Sequence, residues 1–231
     1  MENKLTVDSS YLIFKLKVEF LNIKNFCYII VDKYSREAAI IDPAWEFDKI
    51  SDQLNQCAAK LTSIFLTHSH YDHTNLAELL VGRYNSNVFM SKNEIDYYDY
   101  RCSKLIALNN EDYINVGNTK VVCMLTPGHT FGSSCYLLQD SLFTGDTIFI
   151  EGCGICSGKG ASAEQMYFSI QEVKSRINHD TKIYPGHSYG KMPGHSLSYL
   201  LNENIYFQID KKDTFINYRM RANQKNLFDF K

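Results

Sequence analysis

The sequence predicts an α+β fold in which helices pack outside a sheet or a pair of sheets. Short apolar segments of strand length recur along the chain, and segments of helical character lie between them. The 231 residues contain no internal repeat, low-complexity run or Pro/Gly/Ser-rich linker, so we expect one domain over residues 1–231. Periodicity alone does not distinguish a sandwich from an open sheet.

The first element is predicted from an alternating pattern. Apolar and charged residues alternate from Ile13 to Phe20, which is the period-two signature of a strand with one buried face. Helices are predicted over 47–59, 74–83 and 162–176, and the second of them carries Leu76, Leu79 and Leu80 on one side. The other predicted strands are short apolar runs at 26–31, 38–41, 63–67, 88–91, 120–125, 135–138, 141–144 and 182–184.

Charge and hydropathy narrow the classes of function. The 24 Lys and Arg residues against 26 Asp and Glu give a net charge of −2, without the positive balance of nucleic-acid binding. No stretch reaches the roughly 18 uncharged apolar residues of a membrane-spanning helix, and the N-terminus lacks the apolar run of a secretory signal. The seven cysteines are odd in number and scattered, which indicates reduced thiols. We therefore expect a cytoplasmic protein with no nucleic-acid or membrane partner.

The strongest chemical signal is the H-x-H-x-D-H run over residues 68–73. Its candidate ligands follow a predicted buried strand directly, where the backbone can turn, and are His68, His70, Asp72 and His73. Imidazole nitrogen and carboxylate oxygen are ligands that zinc prefers beside thiolate. A turn at a strand end can direct successive side chains towards two neighbouring centres. A polar surface turn is the alternative interpretation, which the motifs farther along the chain disfavour.

Three further loops place a candidate ligand beside glycine. They are Thr126–Thr130 with His129, Phe143–Thr147 with Asp146, and Tyr184–Ser188 with His187. Each follows a predicted strand, and glycine permits the sharp turns that let the loops converge on the first motif. Five of the seven histidines lie in these motifs. The other two, His179 and His195, are predicted to be loop residues, with a place at the rim of the site as the alternative for His195.

The ordered motifs H-x-H-x-D-H, P-G-H-T, G-D-T and G-H resemble those of the metallo-β-lactamase superfamily, over about residues 12–190. Gly145–Phe149 and the following Gly152–Gly154 are similar to the G-D-T-L-F and G-C-G of its glyoxalase II-like branch. The resemblance implies an αββα sandwich and two metal ions per chain, which we take as zinc, with iron or manganese as alternatives. It also implies a ligand set of His68, His70 and His129 for the first ion, Asp72, His73 and His187 for the second, and Asp146 as a bridge.

A dinuclear zinc hydrolase is the function that this resemblance implies. A water between two zinc ions is acidified to a hydroxide that attacks a carbonyl carbon, and Asp72 is expected to orient it. In the glyoxalase II-like branch the leaving group is a thiolate, so we expect hydrolysis of an acyl thioester. The sequence has no Gly-x-Ser-x-Gly elbow to support a serine hydrolase.

Departures from glyoxalase II favour a different thiol carrier. That enzyme has a long C-terminal helical region that supplies basic residues to glutathione, whereas 44 residues follow His187 here and form only a short C-terminal extension. Tyr189 matches a tyrosine of the glutathione pocket and is a candidate substrate-binding residue. The run 218–221, Tyr-Arg-Met-Arg, offers cations, but we favour its interpretation as a solvated face.

The short C-terminus and residues 186–194 resemble zinc hydrolases associated with bacterial polyketide synthases, and hence with antibiotic biosynthesis. This implies a trans-acting thioesterase on acyl carrier protein, with coenzyme A thioesters as another substrate class. Lys191 is a candidate substrate-binding residue at the pocket mouth, with an ordinary exposed lysine as the alternative.

Other functions are compatible with the same motifs. Within the fold they are a glutathione thioester hydrolase, a lactonase, a β-lactamase and a persulfide dioxygenase with one iron on His68, His129 and Asp146. From another class, the alternative is a non-catalytic binding protein stabilised by metal. Structural zinc needs only four closed ligands, fewer than the seven candidates here, which disfavours this alternative.

Overall fold

The computed structural model describes residues 9–222, so the predicted domain bounds at residues 1 and 231 lie outside the described residues. The strands are β1 (Tyr11–Phe20), β2 (Ile23–Asp32), β3 (Glu37–Ile41), β4 (Lys60–Phe65), β5 (Asn87–Ser91), β6 (Leu105–Leu108), β7 (Tyr113–Val116), β8 (Thr119–Leu125), β9 (Ser134–Leu137), β10 (Ser141–Gly145), β11 (Lys182–Pro185) and β12 (His195–Ser196). The helices are α1 (Phe47–Gln56), α2 (Tyr71–Thr74), α3 (Ala77–Tyr84), α4 (Lys92–Tyr98), α5 (Ala163–Arg176), α6 (Leu197–Glu203), α7 (Ile205–Gln208) and α8 (Lys212–Arg219).

The strands form two six-stranded sheets with the orders β1-β2-β3-β4-β5-β6 and β12-β11-β10-β9-β8-β7. In the first sheet β3, β4, β5 and β6 are parallel, and β2 pairs antiparallel with both β3 and β1. In the second sheet β8 and β10 both pair antiparallel with β9, and β10 is parallel to β11. The strands β8, β10 and β11 therefore all end at the same edge, where their loops can meet.

Three apolar clusters hold the layers together. Between the sheets lies an aromatic core that includes Tyr28, Phe65, Tyr136 and Phe143. A second cluster joins the outer face of the first sheet to α1 and α3, and a third joins the outer face of the second sheet to α5 and the C-terminal helices. The resulting helix–sheet–sheet–helix order confirms the predicted αββα sandwich.

Each predicted strand overlaps an observed one, and the differences have local causes. The predicted helix 74–83 corresponds to the last residue of α2 and to most of α3. The residue after α3, Asn85, has φ +59, a left-handed conformation that stops the helix. In β1, Leu16 and Val18 are buried as expected, whereas Phe20 is 53% exposed because it extends past the apolar core. The sequence did not indicate β6, β7, β12 or α4, whose short segments lack a clear period.

The C-terminal part of the chain differs from the sequence predictions at two residues. Arg219 is buried in α8, not part of a solvated face, and its Nη1 donates to the hydroxyl of Tyr206 at 3.0 Å. His195 lies in β12 paired with Ile183, not in a loop. His179 is exposed, as predicted.

All seven cysteines are free thiols, in agreement with the sequence. Within residues 9–222, none of the helices has the length and apolar character needed to cross a membrane.

Tyr136 links the two sheets through a polar contact inside the aromatic core. Its hydroxyl donates to the carbonyl of Leu66 at 2.8 Å, directly before the first ligand loop.

Tyr136→Phe should lower the free energy of unfolding by about 1–2 kcal/mol, because a buried carbonyl loses its donor. Guanidinium denaturation of the metal-free protein measures this. The control Tyr34→Phe, at a 74% exposed ring, should change it by no more than about 0.5 kcal/mol. Equal midpoints for the two variants would contradict the assignment.

Candidate metal centre

Loops at one edge of the sandwich position the candidate ligands. His68 and His70 follow β4, His129 follows β8, Asp146 follows β10, His187 follows β11, and Asp72 and His73 lie in α2. Backbone hydrogen bonds join these loops across the edge. The amide of Ser134 donates to the carbonyl of Thr67 at 2.9 Å, and the amide of Gly186 donates to the carbonyl of Gly145 at 2.8 Å. The loops are therefore fixed to both sheets at once.

The structure brings all seven predicted ligands together in overlapping groups. His68, His70 and His129 form one group and Asp72, His73 and His187 another, with the ligand atoms of each group within 4.8 Å of one another. In the first group, Nδ1 of His70 is 3.0 Å from Nε2 of both His68 and His129. In the second, Oδ2 of Asp72 is 3.3 Å from Nε2 of His187. These groups coincide with the ligand sets that the resemblance implied.

Asp146 lies between the two groups. Its Oδ1 is 3.4 Å from Nε2 of His73, and its Oδ2 is 3.5 Å from Nε2 of His187 and 3.7 Å from Nε2 of His129. Within the described residues, Nε2 of His73 and Oδ1 of Asp146 are buried without a hydrogen-bond partner. Buried polar atoms of native proteins are normally satisfied, so these two lone-pair donors indicate a cation between them. The imidazole and carboxylate set fits zinc.

The outward nitrogens of four histidines are fixed by acceptors. Nδ1 of His73 lies 2.9 Å from the carboxylate of Asp42, and that of His68 lies 3.0 Å from the hydroxyl of Thr67. Nδ1 of His129 lies 2.9 Å from the carbonyl of residue 155, and that of His187 lies 2.7 Å from the carbonyl of residue 24. Each contact favours the tautomer with hydrogen on Nδ1, which leaves the Nε2 lone pair facing the site.

Asp42 is a buried carboxylate that joins two parts of the first motif. Its Oδ1 accepts from the amide of Thr67 at 2.8 Å, and its Oδ2 accepts from the Thr67 hydroxyl at 2.6 Å and from Nδ1 of His73 at 2.9 Å. In the sequence, Asp42-Pro43 indicated only the end of a strand. An acidic residue directly after a buried strand stands in the same context as the ligands, and this signal could have marked Asp42 as part of the site.

Glu94 is a second buried carboxylate, which ties the first two ligand loops together. Its Oε1 accepts from the amide and the hydroxyl of Ser69, at 2.8 and 2.7 Å. Its Oε2 accepts from the hydroxyl of Thr130 at 2.8 Å and from the amide of Gly132 at 2.9 Å. Ser69 lies between His68 and His70, and Thr130 follows His129, so this one side chain sets the spacing of the first group. No sequence motif indicated it.

Two glycines allow the close approach that the site requires. Gly145 has φ +47, and a side chain there would collide with Thr67. A Cβ on Gly186 would lie 2.5 Å from Cε1 of His73 and 2.8 Å from Oδ1 of Asp146. The glycines beside the ligands therefore admit the neighbouring loops, as the sequence predicted.

The two groups differ in electrostatics. Burial and the neighbouring imidazoles hold the pKa of His68 well below its usual range, and burial lowers the pKa of His129 to about 4. Burial also opposes the charged form of His73, but the carboxylates of Asp146 and Asp42 outweigh it and raise its pKa to about 10. For His187, burial is likewise outweighed by the Asp146 carboxylate, and the pKa is raised. His68 and His129 of the first group therefore favour the neutral form, whereas His73 and His187 of the second favour the charged form.

The site is open to solvent on one side. His70 is exposed, and the side chain of Asp72 is 24% exposed, whereas the other histidines of the site are buried. An open position is what distinguishes catalytic from structural zinc sites. Tyr189 is half-buried and stacks on the His187 ring, with centroids 5.2 Å apart, while Lys191 is exposed two residues farther along the chain. Their predicted roles in substrate binding stay predictions.

Comparison with known proteins agrees with this geometry. Residues 24–187 match the family profile described as the metallo-beta-lactamase superfamily. The chain is 52% identical over 222 residues to a "Probable polyketide biosynthesis zinc-dependent hydrolase PksB" of Bacillus subtilis, which covers 96% of this chain and 99% of that protein. It is 30% identical over 189 residues to a hydroxyacylglutathione hydrolase of Dictyostelium discoideum, covering 76% of this chain and 66% of that protein. Among solved structures, ETHE1 from Myxococcus xanthus is similar with a TM-score of 0.81 at 27% identity, covering 91% of both chains.

The buried carboxylate of Glu94 generates a prediction about stability. In Glu94→Gln, one carboxylate oxygen becomes an amide donor that faces two donors. The free energy of unfolding should fall by about 2–3 kcal/mol, as expected for the loss of charge-assisted hydrogen bonds. Chemical denaturation after chelation of metal measures this. Glu203→Gln, at an exposed helix end, serves as the control and should change stability by no more than about 0.5 kcal/mol. A Glu94→Gln variant as stable as this control would disprove the linking role.

Proposed function

Because this chain belongs to the metallo-beta-lactamase superfamily, we propose that it is a zinc-dependent hydrolase that binds two zinc ions and cleaves acyl thioesters. The observation that carries the proposal is the meeting of two open ligand groups at one shared carboxylate, Asp146. The name of the Bacillus subtilis relative, a zinc-dependent hydrolase, supports both the metal and the reaction class.

In this proposal each ligand group would hold one zinc ion. His68, His70 and His129 would bind the first, Asp72, His73 and His187 would bind the second, and Asp146 lies between the two groups. When bound, the ions supply Lewis acidity, which makes water a stronger nucleophile and a carbonyl more electrophilic. The geometry and protonation of the site come from the chain itself.

Asp72 combines the roles of ligand and orienting base. Burial raises its pKa, but the hydrogen bond to His187 and the charge of His73 outweigh this and hold it well below its usual range. The carboxylate is therefore ionised at neutral pH, and its partial exposure leaves an oxygen lone pair facing the open side of the site. From there it can accept a hydrogen bond from the attacking water and direct the water lone pair at the thioester carbonyl carbon.

We further propose that the thiol carrier is an acyl carrier protein or coenzyme A, in polyketide biosynthesis. The buried Arg219, bonded to Tyr206, is not available to bind the carboxylates of glutathione. The open face of the site at His70 and Asp72 can admit a thioester on a long arm. Tyr189, stacked beside His187, and the exposed Lys191 are the proposed contacts for that arm. The name of the Bacillus subtilis relative, a probable polyketide biosynthesis hydrolase, supports the biosynthetic setting.

The thioesterase proposal predicts a defined pattern of turnover. Protein purified without added metal should contain zinc and release thiol from carrier-protein or coenzyme A thioesters faster than from glutathione thioesters. Asp72→Ala should lower kcat/KM by at least about 100-fold, because both a metal ligand and the water-orienting group are lost. Thiol release with a chromogenic reagent, paired with metal analysis, provides the measurement.

The control for that experiment is Asp52→Ala, an exposed position on α1, which should retain wild-type turnover. A protein that contains a single iron, consumes oxygen with a persulfide and releases no thiol would refute hydrolysis and identify a dioxygenase. Preference for a glutathione thioester would refute the proposed carrier alone.

The pKa shifts of the histidines predict the order in which the ions leave on acidification. Protons compete with metal for Nε2, and the raised pKa values of His73 and His187 mean that the second group accepts protons first as pH falls. The lowered pKa values of His68 and His129 protect the first group. Dialysis from about pH 8 to about pH 5 should therefore remove the second ion before the first.

Zinc content at each pH, compared between two variants, identifies the ion that leaves. His187→Ala should keep its remaining zinc over the same pH range in which His129→Ala loses its zinc. The reverse order, or simultaneous loss of both ions from the wild type, would contradict the predicted difference between the groups.

A further inference from the structure

The single tryptophan of the chain lies two hydrogen bonds from a candidate metal ligand. Nε1 of Trp45 donates to Oδ1 of Asn25 at 2.9 Å. Nδ2 of Asn25 donates to Oδ2 of Asp72 at 3.1 Å and to the backbone carbonyl of Asp72 at 2.9 Å. Asn25 is 1% exposed, so these contacts exclude water from that side of the Asp72 carboxylate.

The chemistry of the indole determines how the Asn25 amide is turned. An indole N–H can only donate, so the atom that it meets must be the amide oxygen. The NH2 group of Asn25 then faces Asp72, where it donates to the carboxylate oxygen nearest to His187. Without the indole N–H, the amide could rotate and place its oxygen against the carboxylate.

Trp45 is itself held in place from several sides. Its backbone has φ +63, a left-handed conformation that is strained for a residue with a side chain, and its amide donates to Oδ1 of Asn75 at 2.9 Å. Its ring stacks on Phe20 with centroids 5.2 Å apart and meets the edge of Tyr71 at 5.8 Å. Strain of this kind persists only where surrounding contacts over-determine it, which fits a side chain whose orientation matters.

We propose that Trp45 and Asn25 are positioning residues that hold the carboxylate of Asp72 in the geometry needed by the second metal ion. This inference rests on the two-zinc part of the proposed function. Trp45 touches neither substrate nor metal and acts through Asn25, and Asn25 acts through Asp72. Groups that orient metal ligands commonly change metal affinity by about 10–100-fold when they are removed.

The test measures zinc binding in the absence of any substrate. Metal-free wild type and Trp45→Phe are titrated with zinc against a chromophoric chelator, which resolves two dissociation constants. Trp45→Phe keeps an aromatic ring against Phe20 and removes the N–H donor. The zinc ion of the Asp72, His73 and His187 group should therefore bind about 10–100-fold more weakly, while the dissociation constant of the other ion is unchanged. Tyr34→Phe is the control, since it removes a polar hydrogen from an exposed aromatic side chain outside the hydrogen-bond chain. Both of its constants should equal those of wild type.

A second variant and a second readout guard against loss of folding. Asn25→Leu keeps about the size of the side chain and removes the donor to Asp72 without adding charge beside the site, so it should also weaken only the zinc of the Asp72 group. In the wild type, the fluorescence of Trp45 should change with only one of the two zinc equivalents, because the indole is linked to the Asp72 group alone.

Unchanged constants in both Trp45→Phe and Asn25→Leu would overturn the proposal. Equal weakening of both zinc ions with a lower melting temperature would also overturn it, since that is the result of a merely structural role. A wild type that binds one zinc would refute the two-zinc assignment and this inference with it. A wild type that binds two zinc ions but releases no thiol would refute the thioesterase reaction and leave the positioning role standing.

Discussion

The metal centre depends on the convergence of four chain segments, which the rest of the structure must hold in place. Five imidazoles and two carboxylates from these segments face a common space, and their spacing would be lost if the segments were free. Two buried carboxylates prevent this. Asp42 joins Thr67 to His73, and Glu94 joins Ser69 to Thr130. Burial of a carboxylate destabilises the fold unless nearly all of its oxygen lone pairs accept hydrogen bonds. The loops that supply the donors to Asp42 and Glu94 are therefore held in position by these two side chains.

The sandwich provides the rigid frame to which these loops are attached. The ends of β8, β10 and β11 meet at one edge of the second sheet, and β4 brings the H-x-H-x-D-H motif from the first. The aromatic core between the sheets, with Tyr136 bonded to the carbonyl of Leu66, fixes the distance between the two sources of ligands. A shift of either sheet would separate the ligand groups, so the packing of the core also determines the distances between the ligands.

The differences between the two ligand groups bear on function. The first group consists of imidazoles, two of them buried with lowered pKa values, and the second contains the ionised, partly exposed Asp72. The open side of the site therefore presents a carboxylate beside an exposed imidazole. The contacts of Asp72 with Asn25, and through it with Trp45, connect the second group to the aromatic residues at the tip of the first hairpin. That hairpin is thus part of the construction of the site.

The sequence by itself determined most of the strand–helix order and the family, and it predicted the candidate ligand residues, because these depend on local periodicity and on motifs whose spacing carries the chemistry. The αββα layering came from the resemblance and not from periodicity. Only the tertiary structure decided how the site is supported. Asp42, Glu94 and Asn25 lie far along the chain from the ligands that they hold, and each belongs to a segment without a motif. The burial of Arg219 likewise follows from the packing of α8 against α5 and α7, which a four-residue pattern of Tyr, Arg and Met cannot reveal. Contacts between distant segments exist only after folding, and for that reason the sequence alone did not reveal the partners of these residues.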